Sequence, residues 1–560
     1  MKYNNNMAES KKDGFILQAG ILAAAGIIVR FIGILYRSPL VAVIGDEGNG
    51  YYNTAYTIYT IILLISSYSI PSAVSKVIAG KLAIKEYRNA HKIFMGAFYY
   101  VIFVGGIASL VCFFFAEYLV GTNSAQVLRV FAPTIFFSGL LGVLRGYFQA
   151  HKSMIQTSLS QIIEQILNAI VSIGAAMLLM NWVADKDATT QAIYGAIGSA
   201  LGTGAGVLIA LGFMIMVYSS NRQMFRKRRQ RDKTQEELTY KQVFGLIFNM
   251  VTPVLLSTCI YNMSNATNLK LYCGIVEELK GYTEAQATTY YGLFSGKANQ
   301  IANIPIALAT AMSSAIIPTI AGTFERGEWK ETRKKIGGAI KTTMLISIPA
   351  AAGMAVLAKP IVFVLYPQQG TLDIVAKLLQ VLAISIVFYS LSTLSNAVLQ
   401  GTGYVNKPVI HAAVALVLQA VVLVVLLLYT PLDLYALAVA AIVYSFCMCI
   451  LNSISMKSRL KYKQEIRRTF VIPAISAVCM GTVAYLVYKG MEWFMILIGI
   501  LEKDTMNWLV NCICLIPTFL IAVVIYFALI IKLRAVSQKE LEAIPKGRIV
   551  VKIASKMRLL

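Results

Sequence analysis

Two arginines mark the first apolar segment of this chain. Residues 14–38 read GFILQAGILAAAGIIVRFIGILYRS, with Arg30 inside the stretch and Arg37 at its far end. Successive steps of 4, 3 and 4 place Gly26, Arg30, Gly33 and Arg37 on one helical face. A charge at bilayer depth costs at least about 2.5 kcal/mol, so such a residue turns to a cavity or a partner rather than to lipid. The face is small and basic. The chemistry it offers is capture of an anion.

Other polar residues extend that reading. Lys297 lies nine or so residues from the outer end of its apolar segment, and Arg30 lies seven from Arg37. At 1.5 Å per residue both sit about 10–14 Å below the outer surface. One falls in each half of the chain, so cations from both halves are expected to face a shared space. Lys76, in PSAVSK, and Arg145, in LRGYFQ, fall near cytoplasmic ends of their segments. Each either meets an anion at the inner mouth or anchors its helix at the interface.

A polar stripe runs along the fifth segment through Gln161, Glu164, Gln165, Asn168 and Ser172. Glu164 is the clearest acid within any segment. It serves either as a cavity-lining relay or as a packed contact with a basic residue of another helix, and both readings stand. Asn265 and Asn268 in the seventh segment, Asn303 in the eighth and Asn396 in the tenth are further cavity-lining candidates.

The elements that must position these residues are membrane helices. The chain has 560 residues, of which 58% are hydrophobic and only 14% charged, and apolar stretches of about 20 residues recur along it. Fourteen spans are expected, near 14–38, 50–79, 92–116, 126–149, 157–182, 192–218, 242–273, 286–321, 336–358, 372–400, 408–430, 432–456, 469–490 and 507–533. The fold class is all-α polytopic. The first span is expected to be retained, because its apolar run is longer than a signal peptide's and carries Arg30.

The net charge of +24 sits in alternate loops: 80–92, 219–241, 323–335 and 457–468 are basic, while the intervening loops are short and neutral or acidic. That alternation is the cytoplasmic signature of a membrane protein rather than a nucleic-acid surface, and it places both termini in the cytoplasm. The run RKRRQRDK at 226–233 reads as a solvated linker. The eight cysteines form no C-x-x-C pair and there are three histidines, so neither a metal site nor a disulfide framework is expected. There is no Walker motif, no G-x-S-x-G and no cofactor-binding motif, so no cofactor and no enzymatic activity are expected.

The halves resemble each other. At an offset of 242, Ser72/Ser314, Ala73/Ala315, Ile78/Ile320, Ala79/Ala321, Gly80/Gly322 and Glu86/Glu328 coincide. At an offset of 255, LRGYFQAHKSMI from Leu144 echoes LQGTGYVNKPVI from Leu399. The echoes follow corresponding spans, which implies two six-helix lobes, a transporter design. The expected divisions are an N-lobe with its linker over 1–235, a C-lobe over 236–468, two extra spans over 469–533 and a basic amphipathic tail over 534–560 lying on the inner membrane surface.

The chain resembles the multidrug/oligosaccharidyl-lipid/polysaccharide exporter superfamily. It is most similar to the polysaccharide-transporter branch that holds the Gram-positive MurJ-type lipid II flippases and stage V sporulation protein B. The pieces that carry the resemblance are VRFIGILYRSPLVAVIGDEGNGYY at 29–52, SIPSAVSK at 69–76, NIPIALATAMSSAIIPTIA at 303–321, LQGTGYVNKP at 399–408 and ELEAIPKG at 540–547. The family's Arg-Gly-Arg pattern matches Arg30, Gly33 and Arg37, although Ser38 stands where an acid is usual. Its basic residue in the eighth helix corresponds to Lys297.

The resemblance implies a flippase of the bacterial plasma membrane. Its substrate would be an undecaprenyl-pyrophosphate-linked saccharide, lipid II first, and its partners membrane lipids and the cell-wall synthesis machinery. Another lipid-linked polysaccharide or a sporulation role is the alternative. A cation-coupled drug exporter and a membrane glycosyltransferase using Asp46 and Glu47 rank behind, since the first span offers arginines rather than acids and every outer loop is short.

Overall fold

The computed structural model describes residues 25–26, 28–33, 35–68, 70–151, 153–232, 236–499, 506–536, 538 and 555. The tail motif ELEAIPKG and most of the amphipathic tail lie outside the described residues. Among the described residues the regular structure is helical, without strands. Eleven described helices are long and apolar enough to cross a membrane. Their outward faces carry large apolar side chains, such as Phe103 at 70% exposure, Leu178 at 72% and Ile516 at 62%. Only a lipid solvent tolerates so much exposed hydrocarbon.

The chain forms two compact units, 1–292 and 293–560. The first contains α1 (Arg37–Leu63), α2 (Ile70–Ala83), α3 (Tyr87–Phe114), α4 (Thr122–Ala150), α5 (Met154–Trp182), α6 (Ala188–Gln230), α7 (Tyr240–Lys280) and α8 (Glu284–Gly292). Its core gathers Ile70, Ile78, Phe94, Leu144, Val207 and Val243 from five of these helices. The second contains α9 (Asn299–Glu325), α10 (Trp329–Val356), α11 (Ala358–Leu365), α12 (Gln369–Gly401), α13 (Asn406–Tyr429), α14 (Leu434–Leu460), α15 (Ile472–Leu497) and α16 (Trp508–Lys532). Its core gathers Ile340, Leu394, Val398, Met456, Ala477 and Tyr526.

The two long spans expected at 50–79 and 286–321 are interrupted. Each contains one π-helical turn, at Leu64–Tyr68 and at Leu293–Ala298. A π-turn inserts one residue and shifts the faces beyond it, and such turns concentrate at functional sites. A sharper break occurs at Gly45, with φ of 70° and ψ of −178° inside α1. Only glycine adopts that backbone cheaply, and it separates the first span from the second. Asp46 and Glu47 follow it within the helix, where Glu47 accepts a hydrogen bond from the Tyr51 hydroxyl at 2.8 Å.

The sequence echoes have matching structural roles. A Cβ on Gly146 would fall 2.7 Å from the Pro71 carbonyl oxygen, so α4 meets α2 backbone to backbone. Gly401, its counterpart, lets α12 approach Ile317 of α9, where a Cβ would fall 3.2 Å from the isoleucine side chain. The last helix, α16, is stitched to α15, α11 and α10 by polar contacts. Asn511 accepts from the Tyr488 hydroxyl at 2.6 Å and donates to the Pro360 carbonyl at 3.0 Å, while Tyr526 donates to the Leu345 carbonyl at 3.0 Å.

The basic run is not a loop throughout. Helix α6 extends for 43 residues, about 65 Å, and carries Arg222 through Gln230 on its end. Phe225 explains this continuation. It is buried against Tyr147, Phe148, His151 and Tyr218, so the last turns have an aromatic seat that charge composition does not reveal. Burial holds the His151 imidazole below its usual range; the Tyr147 carbonyl, 2.9 Å from Nδ1, opposes that shift and the Arg228 charge adds to it.

Candidate functional site

Arg37 is buried near the start of α1. Its Nη1 donates to Asn53 Oδ1 at 3.2 Å. Its guanidinium lies 5.7 Å from the Tyr52 ring centroid and 5.6 Å from that of Tyr56. Those rings stack on each other at 5.6 Å, and Tyr59 and Phe131 extend the aromatic group. Helical periodicity builds this seat: Tyr52, Tyr56 and Tyr59 recur at steps of 4 and 3 on one face of α1. Ring faces and an amide oxygen stabilise a cation removed from water. Asn53 is itself fixed, donating to the Asn49 carbonyl at 2.6 Å and its side-chain oxygen at 2.7 Å.

Arg30, one heptad before Arg37, is exposed rather than buried. Between them Gly33 lies against Gln165, whose amide nitrogen would be 3.2 Å from a Cβ there. Gly33 of that face thus packs against the polar stripe of α5. Tyr36, Leu40 and Ile44 carry the contact on toward Ala176.

On that stripe, Arg145 of α4 donates through Nε to Ser160 Oγ at 2.8 Å and through Nη2 to Glu164 Oε2 at 2.7 Å. Of the two readings open for Glu164, this geometry is that of a packed contact with a basic residue. The side chains are 14% and 30% exposed, so the pair lies between the surface and buried cases. Glu164→Gln and Arg145→Gln are each expected to lower stability by about 1–3 kcal/mol. The double variant should be no worse than the poorer single one, because the partners act as a unit. Thermal unfolding of the purified protein in detergent checks this, and additive losses would mean that the two act separately.

Asn168 accepts from Ser172 Oγ at 3.0 Å and from Thr203 Oγ1 at 3.4 Å, tying α5 to α6. Gln161 is partly buried on the same helix. Lys76 is exposed on the side of α2. In α7, Asn268 is buried and Asn265 exposed, while Asn303 of α9 is exposed. Asn396 belongs to a buried network in the second unit. Asn452 Nδ2 donates to its Oδ1 at 2.8 Å and to Ser395 Oγ at 3.0 Å, and His411 Nδ1 lies 2.8 Å from Asn452 Oδ1. An amide oxygen only accepts, so this contact is a hydrogen bond in the tautomer that carries its proton on Nδ1. Ser455 completes the group at 3.1 Å from Nε2. Every polar partner named here lies on α12, α13 or α14, so this network fastens those three helices together.

Lys297 occupies the π-turn Leu293–Ala298 and is 1% exposed. Its Nζ donates to Gln368 Oε1 and, at 3.4 Å, to Thr371 Oγ1; the Tyr366 ring centroid lies 5.6 Å away. Tyr366 and Gln368 belong to the connection between α11 and α12, and Thr371 to the first turn of α12. Sequence periodicity gave no sign of them, since a connection has no period to read.

A family profile described as Lipid II flippase MurJ matches residues 87–502. The chain belongs to this family. It is accordingly a multi-pass membrane transporter and not an enzyme. Lipid II flippase MurJ of Bacillus subtilis (strain 168) is 24% identical over 503 residues, covering 85% of this chain and 88% of the relative. Stage V sporulation protein B of the same organism is 21% identical, covering 84% and 88%. Among solved structures, lipid II flippase MurJ in an inward closed conformation superposes with a TM-score of 0.64 at 16% identity, covering 91% of this chain and 97% of that one. Identity that low speaks to the fold, and the fold agrees.

Proposed function

We propose that this protein carries lipid II, the undecaprenyl-pyrophosphate-linked peptidoglycan precursor, from the inner to the outer leaflet of the bacterial plasma membrane by alternating access, with both termini in the cytoplasm. The observation that carries the reading is Arg37: an arginine taken out of water in a membrane helix and held by two tyrosine rings and an amide. A guanidinium there suits a pyrophosphate by charge and by its fork of donors. Arg30 is the second cation proposed for the first unit and Lys297 the one for the second. Lys76 and Arg145 would meet the anion at the inner mouth. The prenyl chain stays in lipid along α15 and α16, whose outer faces expose Val478, Leu486, Phe519 and Val524. A potential negative inside assists an anion outward by about 2.3 kcal/mol per charge per 100 mV. The cell-wall synthesis machinery is the partner that supplies and consumes the substrate.

The coverage shared with stage V sporulation protein B keeps a second cargo in view, another lipid-linked saccharide or one made during sporulation. The deciding experiment measures outer-leaflet lipid II in cells depleted of their own flippase. Expression of this protein should restore it, and Arg30→Ala at equal abundance should not. Failure of the wild-type chain to restore it, once properly inserted, would shift the cargo to the second reading.

A further inference from the structure

Lys297 reaches into the short connection that joins α11 to α12. Tyr366, Pro367 and Gln368 form that connection, and Thr371 stands in the first turn of α12. The connection is pinned to the lysine's own turn, because the Tyr366 hydroxyl donates to the Gly296 carbonyl at 3.4 Å. Among the groups around the ammonium are an amide oxygen, a hydroxyl and a ring face, all from this segment. Each replaces part of a hydration shell, and each is electrically neutral. Neutral acceptors hold an ammonium more weakly than a carboxylate or a phosphate does.

We infer that the segment Tyr366–Thr371 is a positioning element for Lys297, a neutral holder that keeps the side chain buried and releasable to an anionic head group. Gln368 is its central residue. The inference rests on the reading of Lys297 as a substrate cation. It adds that the neutrality of residue 368 sets how readily the lysine leaves. A carboxylate of the same size at that position would pair with the ammonium and compete with substrate. Apparent affinity then falls by the fraction of protein in which the lysine is released.

The test uses purified full-length protein and undecaprenyl pyrophosphate as ligand, with binding followed by native mass spectrometry. Gln368→Glu, which preserves shape, should weaken binding by about tenfold or more, while Gln368→Met, which removes the acceptor without adding a charge, should weaken it clearly less. The Gln368→Glu effect should vanish in a Lys297→Met background, since nothing remains to be locked. A purely structural role for Gln368 predicts the reverse: a greater loss with methionine than with glutamate, and a glutamate effect that persists without the lysine. Should Gln368→Glu fold poorly, Thr371→Asp against Thr371→Asn makes the same comparison from the neighbouring position. If Lys297→Met weakens binding but Gln368→Glu does not, the holder is wrong and the substrate reading of Lys297 survives. If Lys297→Met binds as wild type, both fall.

Discussion

Gly202→Leu is expected to leave little folded protein, a loss of about 3–5 kcal/mol. A Cβ at this position would lie 2.1 Å from Ser172 Oγ, 2.4 Å from the Ser172 backbone nitrogen and 2.6 Å from its Cα. A hydroxyl can rotate away, but a helix backbone cannot. Gly198 and Gly206 make the same approach one turn either side, 2.4 Å from the Ala176 nitrogen and 2.6 Å from the Glu164 carbonyl oxygen. The three glycines form a ridge at four-residue spacing, the arrangement that lets membrane helices touch backbone to backbone. Separating α5 from α6 would also break the Ser172 hydrogen bond to the Ser199 carbonyl, 3.0 Å long, and displace Glu164 and Asn168. Fluorescence-detected size exclusion and melting temperature in detergent read the outcome. Gly212→Leu is the control, since a Cβ at Gly212 of the same helix meets nothing within 4 Å. Wild-type yield and melting temperature for Gly202→Leu would show that the two helices need no such contact.

That ridge shows where sequence reading stopped. The letters GSALGTGAG at 198–206 are visible in the chain, yet nothing local says which neighbour requires them. The partner is a backbone some 30 residues away. What was legible had a period or a position relative to the bilayer: the helical class, the polar stripe on α5, and the paired echoes of Gly146 and Gly401. What was illegible depended on contacts across the fold. The Tyr52 and Tyr56 seat of Arg37 lies beyond the break at Gly45, and the holder of Lys297 lies some 70 residues downstream. Glu164 could be placed on its stripe but not matched to Arg145. Similarly, charge alone made 226–233 look like a solvated linker, whereas one buried phenylalanine keeps its first turns helical.

Arg37→Met should separate stability from transport. In most buried ion sites, removing a charge harms the fold by stranding its partner. Among the partners of Arg37 are two rings and the Oδ1 of Asn53, whose Nδ2 keeps its own hydrogen bonds to Asn49. An apolar chain of similar length can pack on Tyr52 and Tyr56 without the cost of desolvating a guanidinium, which offsets the acceptor left at Asn53 Oδ1, so the melting temperature should stay near the wild-type value. Transport should nonetheless fall by about 10- to 100-fold, the value of one charge-assisted contact to a phosphate lost where no water replaces it. Arg37→Lys should fall between, because an ammonium keeps the charge but not the fork. Outer-leaflet lipid II at matched abundance, with melting temperature measured on the same preparations, gives both quantities. Transport that survives methionine would remove Arg37 from the substrate path. A melting temperature that falls together with transport would make the arginine a structural cation, and the small basic face would then owe its charge to packing rather than to cargo.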